Sequence, residues 1–152
     1  MGIRLGLCQT RVTRDKGENL RLAEAALRQA ADQGANLALL PEMFNCPYEN
    51  PCFPLYGEPA GGETWQFLAA MARELGLYLA GGSVPELEGD KVYNTCYLFS
   101  PQGRSWPATG RSTSSTSTCG GPAVQGVRHL GRRQPDHGGG HPSGHAGPCH
   151  LL

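Results

Sequence analysis

Isoleucine, phenylalanine, tyrosine and lysine are missing from the last third of this chain, which has few large apolar residues of any kind. Residues 105–152 contain no Ile, Phe, Tyr or Lys, whereas ten of the 22 glycines lie there. A segment so poor in large apolar side chains cannot bury enough surface to offset the entropy lost on ordering. We therefore predict that residues 105–152 form a disordered tail rich in Gly, Pro, Ser, Arg and His, and that residues 1–104 form the folded part.

The chain also lacks the segments that direct a protein to or across a membrane. No apolar run approaches the ~20 residues of a membrane span, and residues 3–8 are too short for the core of a signal peptide. The six cysteines are not the dense framework of a small secreted domain. Residues 1–104 hold 12 acidic and nine basic side chains. We expect reduced thiols, a cytoplasmic or mitochondrial location, and neither a membrane nor a nucleic acid as partner.

Hydrophobic periodicity in the front part alternates between strand and helix patterns. Asp15 and Glu18 resemble a capping box at the start of a helix, and Gly34 is suited to follow its end. The chain predicts the order β-α-β-α-β-β, with elements near residues 3–8, 16–33, 36–40, 64–75, 77–83 and 92–99. This order is typical of an α/β protein with helices packed on a mixed sheet.

Glu42 follows the apolar run 37–40 and opens a loop that extends to residue 63 and contains five prolines. A loop this long is unusual unless it is functional. In open α/β proteins, chemistry is commonly placed at the carboxyl ends of buried strands. Glu42 is therefore the first candidate for a functional side chain.

The sequence motifs around Glu42 resemble those of a known family. The chain is similar to the nitrilase (carbon–nitrogen hydrolase) superfamily, and above all to its omega-amidase branch, in five motifs: RLGLCQ, LALLPEMFNCPY, GEPAGGET, LYLAGGSVPE and VYNTCYLFSPQGR. The resemblance covers about residues 3–104. It implies the N-terminal part of an α-β-β-α sandwich. It also implies hydrolysis of small dicarboxylate monoamides such as 2-oxoglutaramate and 2-oxosuccinamate, with no cofactor, by a family that is homo-oligomeric at full length.

The same resemblance assigns roles to a Glu-Lys-Cys triad. A thiolate attacks the amide to form an acyl-enzyme, an ammonium group stabilises the oxyanion, and a carboxylate transfers the protons. Only the carboxylate maps onto this chain, at Glu42. Phe44 and Tyr48 are candidates for a substrate pocket, as are Phe53 and Tyr56, although ordinary loop packing is the more common role for each.

The cysteines of the front part offer little metal chemistry. Cys46 and Cys52 form a pair, but no second pair or nearby histidine completes a zinc site. Cys8 and Cys96 lie on predicted strands, where buried small apolar groups are the simplest interpretation. We therefore expect no metal.

The resemblance stops near Arg104. The family continues with Arg-Lys-Val-His-Leu-Phe-Asp-Ile-Asp, which holds the lysine, and later with Gly-Ile-Cys-Tyr-Asp, which holds the nucleophile. Allowed codings of residues 109–118 and 149–152 contain both words in other reading frames, so we hypothesise that the tail is an out-of-frame translation. Cys149 lacks the flanking word and is not assigned the nucleophile's role.

The tail has functional alternatives to disorder. The histidines of HGGGHPSGH are a metal-binding candidate, and Arg128, Arg132 and Arg133 are candidates for contact with an acidic partner.

Two interpretations of the whole chain also remain open. The chain is either a truncated, inactive amidase or a non-catalytic fragment that pairs with intact family members. An unrelated α/β domain is disfavoured by the ordered set of matching words. If half of the sandwich is missing, one apolar face of the sheet should be exposed.

Overall fold

A computed structural model describes residues 2–111. The helices are α1 Lys16–Asp32, α2 Cys52–Tyr56 and α3 Glu63–Leu75. The strands are β1 Leu5–Leu7, β2 Leu37–Leu39, β3 Glu58–Pro59, β4 Tyr78–Ala80, β5 Val84–Glu88, β6 Lys91–Phe99 and β7 Ser105–Arg111. The predicted mixed α/β fold is confirmed.

The helices begin and end where the sequence places their signals. The Asp15 side chain accepts a hydrogen bond from the Glu18 backbone N–H at 3.0 Å and caps α1. At the end of α3, Gly76 adopts the left-handed conformation, with φ of 63°, and its N–H bonds to the Ala72 carbonyl. Both helix ends were predicted to within one or two residues.

The strands form one mixed sheet in the order β1-β2-β4-β6-β5-β3, and β7 pairs with β6. β1, β2 and β4 are parallel, so their carboxyl ends lie at one edge of the sheet. β6 is antiparallel to β4, β5 and β7. The predicted turn at residues 88–90 joins β5 to β6.

Three segments differ from the sequence expectation. The predicted strand 77–83 is shorter than expected, because only Tyr78–Ala80 form a strand, β4, and the chain makes an irregular turn at residues 81–83. β5, which follows that turn, was not predicted. The long loop 41–63 contains α2 and β3. β7 lies in the range assigned to the tail, since pairing with β6 satisfies backbone groups without large apolar side chains.

The main core lies between the sheet and the two long helices. Its fully buried members include Ala38, Leu79 and Phe99 from the sheet and Leu27 and Leu68 from the helices. A second cluster packs the loop after β2 against the far end of the sheet, through Met43, Cys46, Phe53 and Val92. This second cluster fixes the loop that carries Glu42.

The opposite face of the sheet is bare along β1, β2, β4, β6 and β7. Leu7 is 71% exposed, although it is paired with Leu39 in the ladder between β1 and β2. We call this surface the bare face, and its exposed apolar members are Leu5, Leu7, Leu39, Tyr78, Leu98 and Trp106. The expectation of an exposed apolar sheet face is confirmed.

Within residues 2–111, no helix is both long enough and apolar enough to cross a bilayer.

Candidate functional site

Glu42 lies just beyond the carboxyl end of β2, and its side chain is exposed. By contrast, Leu40 before it and Met43 after it are buried, each with 2% of its surface exposed. Met43 has a φ of 52°, which non-glycine residues seldom adopt. The chain therefore makes a tight, unusual turn between two buried anchors and presents the Glu42 carboxylate at the surface.

The irregular turn between β4 and β5 holds this loop in place. The Ser83 hydroxyl accepts a hydrogen bond from the Met43 N–H at 3.2 Å, and the Ser83 N–H donates to the Pro41 carbonyl at 3.4 Å. Gly82 has a φ of 61°, and a Cβ there would lie 1.9 Å from the Pro41 oxygen. Only glycine fits this close approach, so the turn at 81–83 and the Glu42 loop are built as one unit.

Two side chains reach the Glu42 carboxylate. The Asn94 Nδ2 donates to Glu42 Oε1 at 2.7 Å, and the Tyr48 hydroxyl lies 3.4 Å from the same oxygen. Asn94 is on β6, 52 positions along the chain, and is 3% exposed. The structure thus brings the candidates Glu42 and Tyr48 together and adds Asn94, which the sequence indicated only as a structural residue of the strand.

The other pocket candidates lie elsewhere. Phe44 is fully buried in the main core, on the helix side of the sheet. Phe53 packs in the second cluster and meets Tyr48 edge-on, with ring centroids 5.5 Å apart. The Tyr56 hydroxyl donates to the Arg14 carbonyl at 2.6 Å. Of the four aromatic candidates, Tyr48 is the one beside Glu42.

A buried polar network supports the loop from the helix side. The Asn45 Nδ2 donates to the Thr64 hydroxyl at 3.3 Å, and that hydroxyl donates to Glu58 at 2.5 Å. Glu58 also accepts from the Thr64 N–H at 2.8 Å, so it caps α3 where Gly62 has no side chain to do so. Lys16 lies 2.5 Å from Glu58. Loop, α3 and the start of α1 are therefore joined by one chain of contacts.

Charges within this network shift one another's pKa. Burial alone would raise the pKa of Glu58, but hydrogen bonds from Lys16 and Thr64 and the charge of Lys16 outweigh it, so the net shift is downward. The Lys16 pKa is raised, because bonds to Glu58 and Glu63 outweigh desolvation. Glu58 and Lys16 are thus held charged near neutral pH.

Outside this network, on β6, burial and a hydrogen bond to Glu86 raise the pKa of Tyr97.

The thiols near this site are held as neutral groups. Burial, with a smaller contribution from Cys52, raises the pKa of Cys46 to about 12. Burial also raises the pKa of Cys8 and of Cys96. Because the thiolate is the nucleophilic form, these three cysteines are poorly suited to attack an amide at neutral pH.

No metal cluster of described residues gathers around Glu42, and the two grooves described below lie elsewhere. In the described stretch 2–111, no group of three or more His, Cys, Asp or Glu side chains is arranged to hold a metal ion. Two open grooves of about 400 Å³ and about 420 Å³ lie at the β1 end of the sheet. Neither is lined by Glu42, Tyr48 or Asn94. The carboxylate instead stands at the margin of the bare face.

Several sequence candidates fall outside the described residues. They are Cys149, the histidines of HGGGHPSGH, and the arginines Arg128, Arg132 and Arg133.

Comparison with known proteins gives one consistent family. The family model for carbon–nitrogen hydrolase matches residues 4–115. Omega-amidase NIT2 of Mus musculus is 48% identical over 100 residues, which cover 66% of this chain and 36% of that protein. The chloroplastic omega-amidase of Arabidopsis thaliana is 44% identical over 104 residues, covering 65% of this chain and 28% of that protein.

Solved structures agree with the sequence relatives. Nit3 of Saccharomyces cerevisiae, a member of branch 10 of the nitrilase superfamily, is similar with a TM-score of 0.68 and 28% identity over 73% of this chain and 44% of that chain. A mutant amidase from Nesterenkonia sp. AN1, described with acrylamide added at its active-site cysteine, is similar with a TM-score of 0.61 and 26% identity. That match covers 74% of this chain and 45% of the amidase. The chain thus spans about a third of the curated relatives and less than half of these structures.

Proposed function

Because this chain belongs to the carbon–nitrogen hydrolase family, we propose that it carries the general base of an amidase, and that this base is Glu42. The observation that carries the proposal is the carboxylate at the end of β2, exposed yet held by Asn94 at 2.7 Å. We propose the substrate class of the omega-amidases, small dicarboxylate monoamides such as 2-oxoglutaramate and 2-oxosuccinamate. The identities of 44–48% to omega-amidases support this choice.

Glu42 suits the proton transfers that such a reaction needs. Its ionised carboxylate would accept the proton of an attacking thiol, pass a proton to the departing ammonia, and then activate the water that cleaves the acyl-enzyme. These steps require a carboxylate that is accessible to substrate but fixed in direction. Exposure of Glu42 provides the first property, and its contact with Asn94 provides the second.

We propose that the chain is inactive by itself, because the other two roles have no occupant among residues 2–111. Lys16 is paired with Glu58 at 2.5 Å and Glu63 at 2.7 Å, on the helix side of the sheet. Lys91 lies at the hairpin between β5 and β6. The raised thiol pKa values of Cys8, Cys46 and Cys96 disfavour each as the nucleophile.

A chimaera tests the proposal directly. Residues 1–104 are joined to the part of the murine omega-amidase that follows the matching region. This fusion restores the two sequence motifs that hold the family's catalytic lysine and cysteine. We expect the chimaera to release ammonia from 2-oxoglutaramate and 2-oxosuccinamate, and the chain as it stands to release none. A folded chimaera without amidase activity would argue against the proposed function. Activity in the chain itself would contradict the missing roles.

We propose further that the tail, residues 105–152, derives from a shifted reading frame. The support is the pair of family words recovered from allowed codings of residues 109–118 and 149–152. Sequencing the encoding message from the codon for Arg104 onward tests this. An insertion or deletion that restores Lys-Val-His-Leu-Phe-Asp is expected, and an intact frame as printed would overturn the idea.

We also propose a cytoplasmic or mitochondrial location, on the ground that the described cysteines Cys8, Cys46, Cys52 and Cys96 are free thiols. Fractionation of cells that express a tagged chain is expected to recover it from one of these two compartments. Recovery from the secretory pathway would count against it.

The bare face favours a second candidate function, that of a non-catalytic chain which pairs with intact family members. The bare face is apolar across five strands, and at one side of it Trp106 is 45% exposed. Apolar patches of this kind are typical of protein–protein interfaces. The partner we propose is a full-length relative, since the family resemblance implies that such chains associate with one another.

Co-purification separates this candidate from the first. A tagged chain and an untagged full-length omega-amidase are expressed together, and the amidase is expected in the eluate. A matched chain with Leu7 and Leu98 both changed to Lys should lose it, because charges would line the bare face. Equal recovery with both chains, or none with either, would contradict pairing through this face.

A further inference from the structure

Asn94 interrupts an otherwise apolar row on β6. Side chains alternate along a strand, so Val92, Asn94, Cys96 and Leu98 share one face. Val92 packs in the second cluster, and Leu98 belongs to the bare face. At the point in this row that faces Glu42, the chain places an amide that is 3% exposed.

The amide is only half satisfied. Its Nδ2 donates to Glu42 Oε1 at 2.7 Å, but its Oδ1 is buried and accepts no hydrogen bond within the described part of the chain. A buried acceptor without a donor costs stability, because the group has lost its bonds to water and gained none in return. Stability alone would therefore place an aliphatic residue here.

The orientation of the amide follows from its neighbour. If the side chain were turned over, its carbonyl oxygen would face the carboxylate oxygen of Glu42, and the two negative ends would repel. Nδ2 therefore points at Oε1, and the orphaned Oδ1 is the consequence. The cost of that orphan is balanced by a charge-assisted hydrogen bond to Glu42.

We propose that Asn94 is the positioning residue of the Glu42 base. Its N–H occupies Oε1 and fixes the plane of the carboxylate, which leaves Oε2 as the oxygen that takes and gives the proton. Tyr48, at 3.4 Å from Oε1, is too distant to hold the carboxylate alone. The inference rests on the proposed function, because positioning matters only if Glu42 transfers protons.

Nuclear magnetic resonance tests the contact in the full chain without any need for activity. The ¹⁵N and ¹H resonances of the Asn94 side-chain amide are compared at neutral pH between the wild-type chain, Glu42→Gln and Glu49→Gln. Glu42→Gln should move them, because it removes the charge of the oxygen that accepts the Nδ2–H, and Glu49→Gln should leave them in place. Resonances that do not move in Glu42→Gln, or that move equally in Glu49→Gln, would overturn the proposal.

Thermal unfolding separates positioning from a structural role. Asn94→Leu removes the orphaned oxygen together with the contact to Glu42, and its melting temperature should be no lower than that of the wild-type chain. Thr10→Val is the matched control, since the Thr10 hydroxyl is also a buried orphan and no contact with Glu42 is recorded for it. A large drop for Asn94→Leu alone would mean that the amide is structural.

The chimaera completes the design. There, Asn94→Leu should lower kcat up to about 100-fold while KM changes little, because misplacement of a catalytic group acts on the reaction step. An unchanged kcat would overturn the positioning role. If the resonance moves in Glu42→Gln as expected but the chimaera has no activity, the contact stands and the proposed amidase function fails.

Discussion

At the residue scale, the site consists of one exposed carboxylate and the groups that orient it. Glu42 was identifiable from the sequence, because the words on either side of it carry the family resemblance. Asn94 was not, because its role depends on the register that sets β6 beside the loop after β2. A contact across 52 positions has no local signature, and the word Tyr93-Asn94-Thr95 is equally consistent with an ordinary strand.

The thiol of Cys46 should react unusually slowly in the folded chain. Burial raises its pKa from 9.0 to about 12, so the thiolate fraction near pH 8 falls about 1000-fold. Alkylation by iodoacetamide, followed by mass spectrometry of the peptide that contains Cys46, should be slower by about that factor than in urea-unfolded chain. Equal rates in the two states would show that the thiol is neither buried nor perturbed.

At the element scale, the turn at residues 81–83 explains both what could be predicted and what could not. Helix ends follow local rules, so α1 and α3 were predictable from Asp15, Gly34 and Gly76. The end of β4 at Ala80, short of the predicted end at residue 83, depends instead on the close approach of Gly82 to the Pro41 carbonyl. That approach is a tertiary contact, and nothing in the local pattern indicates it.

Replacement of Gly82 should disturb the Glu42 loop. Gly82→Ala places a Cβ 1.9 Å from the Pro41 oxygen, so β2, the loop or the turn must move. Gly61→Ala is the matched control, because Gly61 also has a positive φ, of 79°, but no atom lies within 4 Å of its added Cβ.

We expect Gly61→Ala to lower the free energy of unfolding by about 1–2 kcal/mol through backbone strain alone. Gly82→Ala should cost clearly more, and it should also shift the Asn94 side-chain resonance. Urea unfolding measures the first effect. Equal costs for the two variants would contradict the close packing of turn and loop.

The contacts of Glu58 should make stability depend on pH in the acid range. Its pKa is lowered in the folded chain from the usual 4.5, so its contribution is fully present above that value and is lost as pH falls through the folded pKa. Glu58→Gln should lower the free energy of unfolding at pH 7 by about 1–3 kcal/mol, because the bonds to Lys16 and Thr64 lose their charge.

Urea unfolding at several pH values checks this expectation. The difference between Glu58→Gln and wild type should shrink in strong acid, where Glu58 is protonated in both states. Glu49→Gln is the control, since Glu49 forms an exposed ion pair with Arg14 at 3.5 Å and a long contact with the Cys52 thiol at 3.9 Å. A difference that is the same at pH 7 and in strong acid would contradict the charged role of Glu58.

At the scale of the whole molecule, residues 2–111 form two layers, one of helices and one of strands. Stable α/β proteins usually cover both faces of such a sheet. One face packs on α1 and α3, and the other is bare. The continuous apolar run at residues 37–40 is typical of a strand that is covered on both faces. The sequence could not show what covers the second side, because residues 2–111 supply only one layer of helices.

The bare face should govern solubility. Leu98→Lys, at a side chain 38% exposed, should raise the soluble concentration and reduce association on gel filtration without loss of stability. Leu79 is the matched control, because it lies on the neighbouring strand but is fully buried on the other face. Leu79→Lys should unfold the chain, and equal behaviour of the two variants would contradict the assignment of the faces.

The central claim is that Glu42 is the base of an amidase, and the chimaera with the murine omega-amidase tests it most directly. Ammonia release from 2-oxoglutaramate is measured for the chimaera, for Glu42→Gln, and for Glu49→Gln, which changes an exposed carboxylate in the same loop. Removal of a general acid–base group typically costs about 10²–10⁴-fold in rate. The account predicts a kcat lower by that factor for Glu42→Gln and unchanged for Glu49→Gln. A Glu42→Gln chimaera as active as its parent would contradict it.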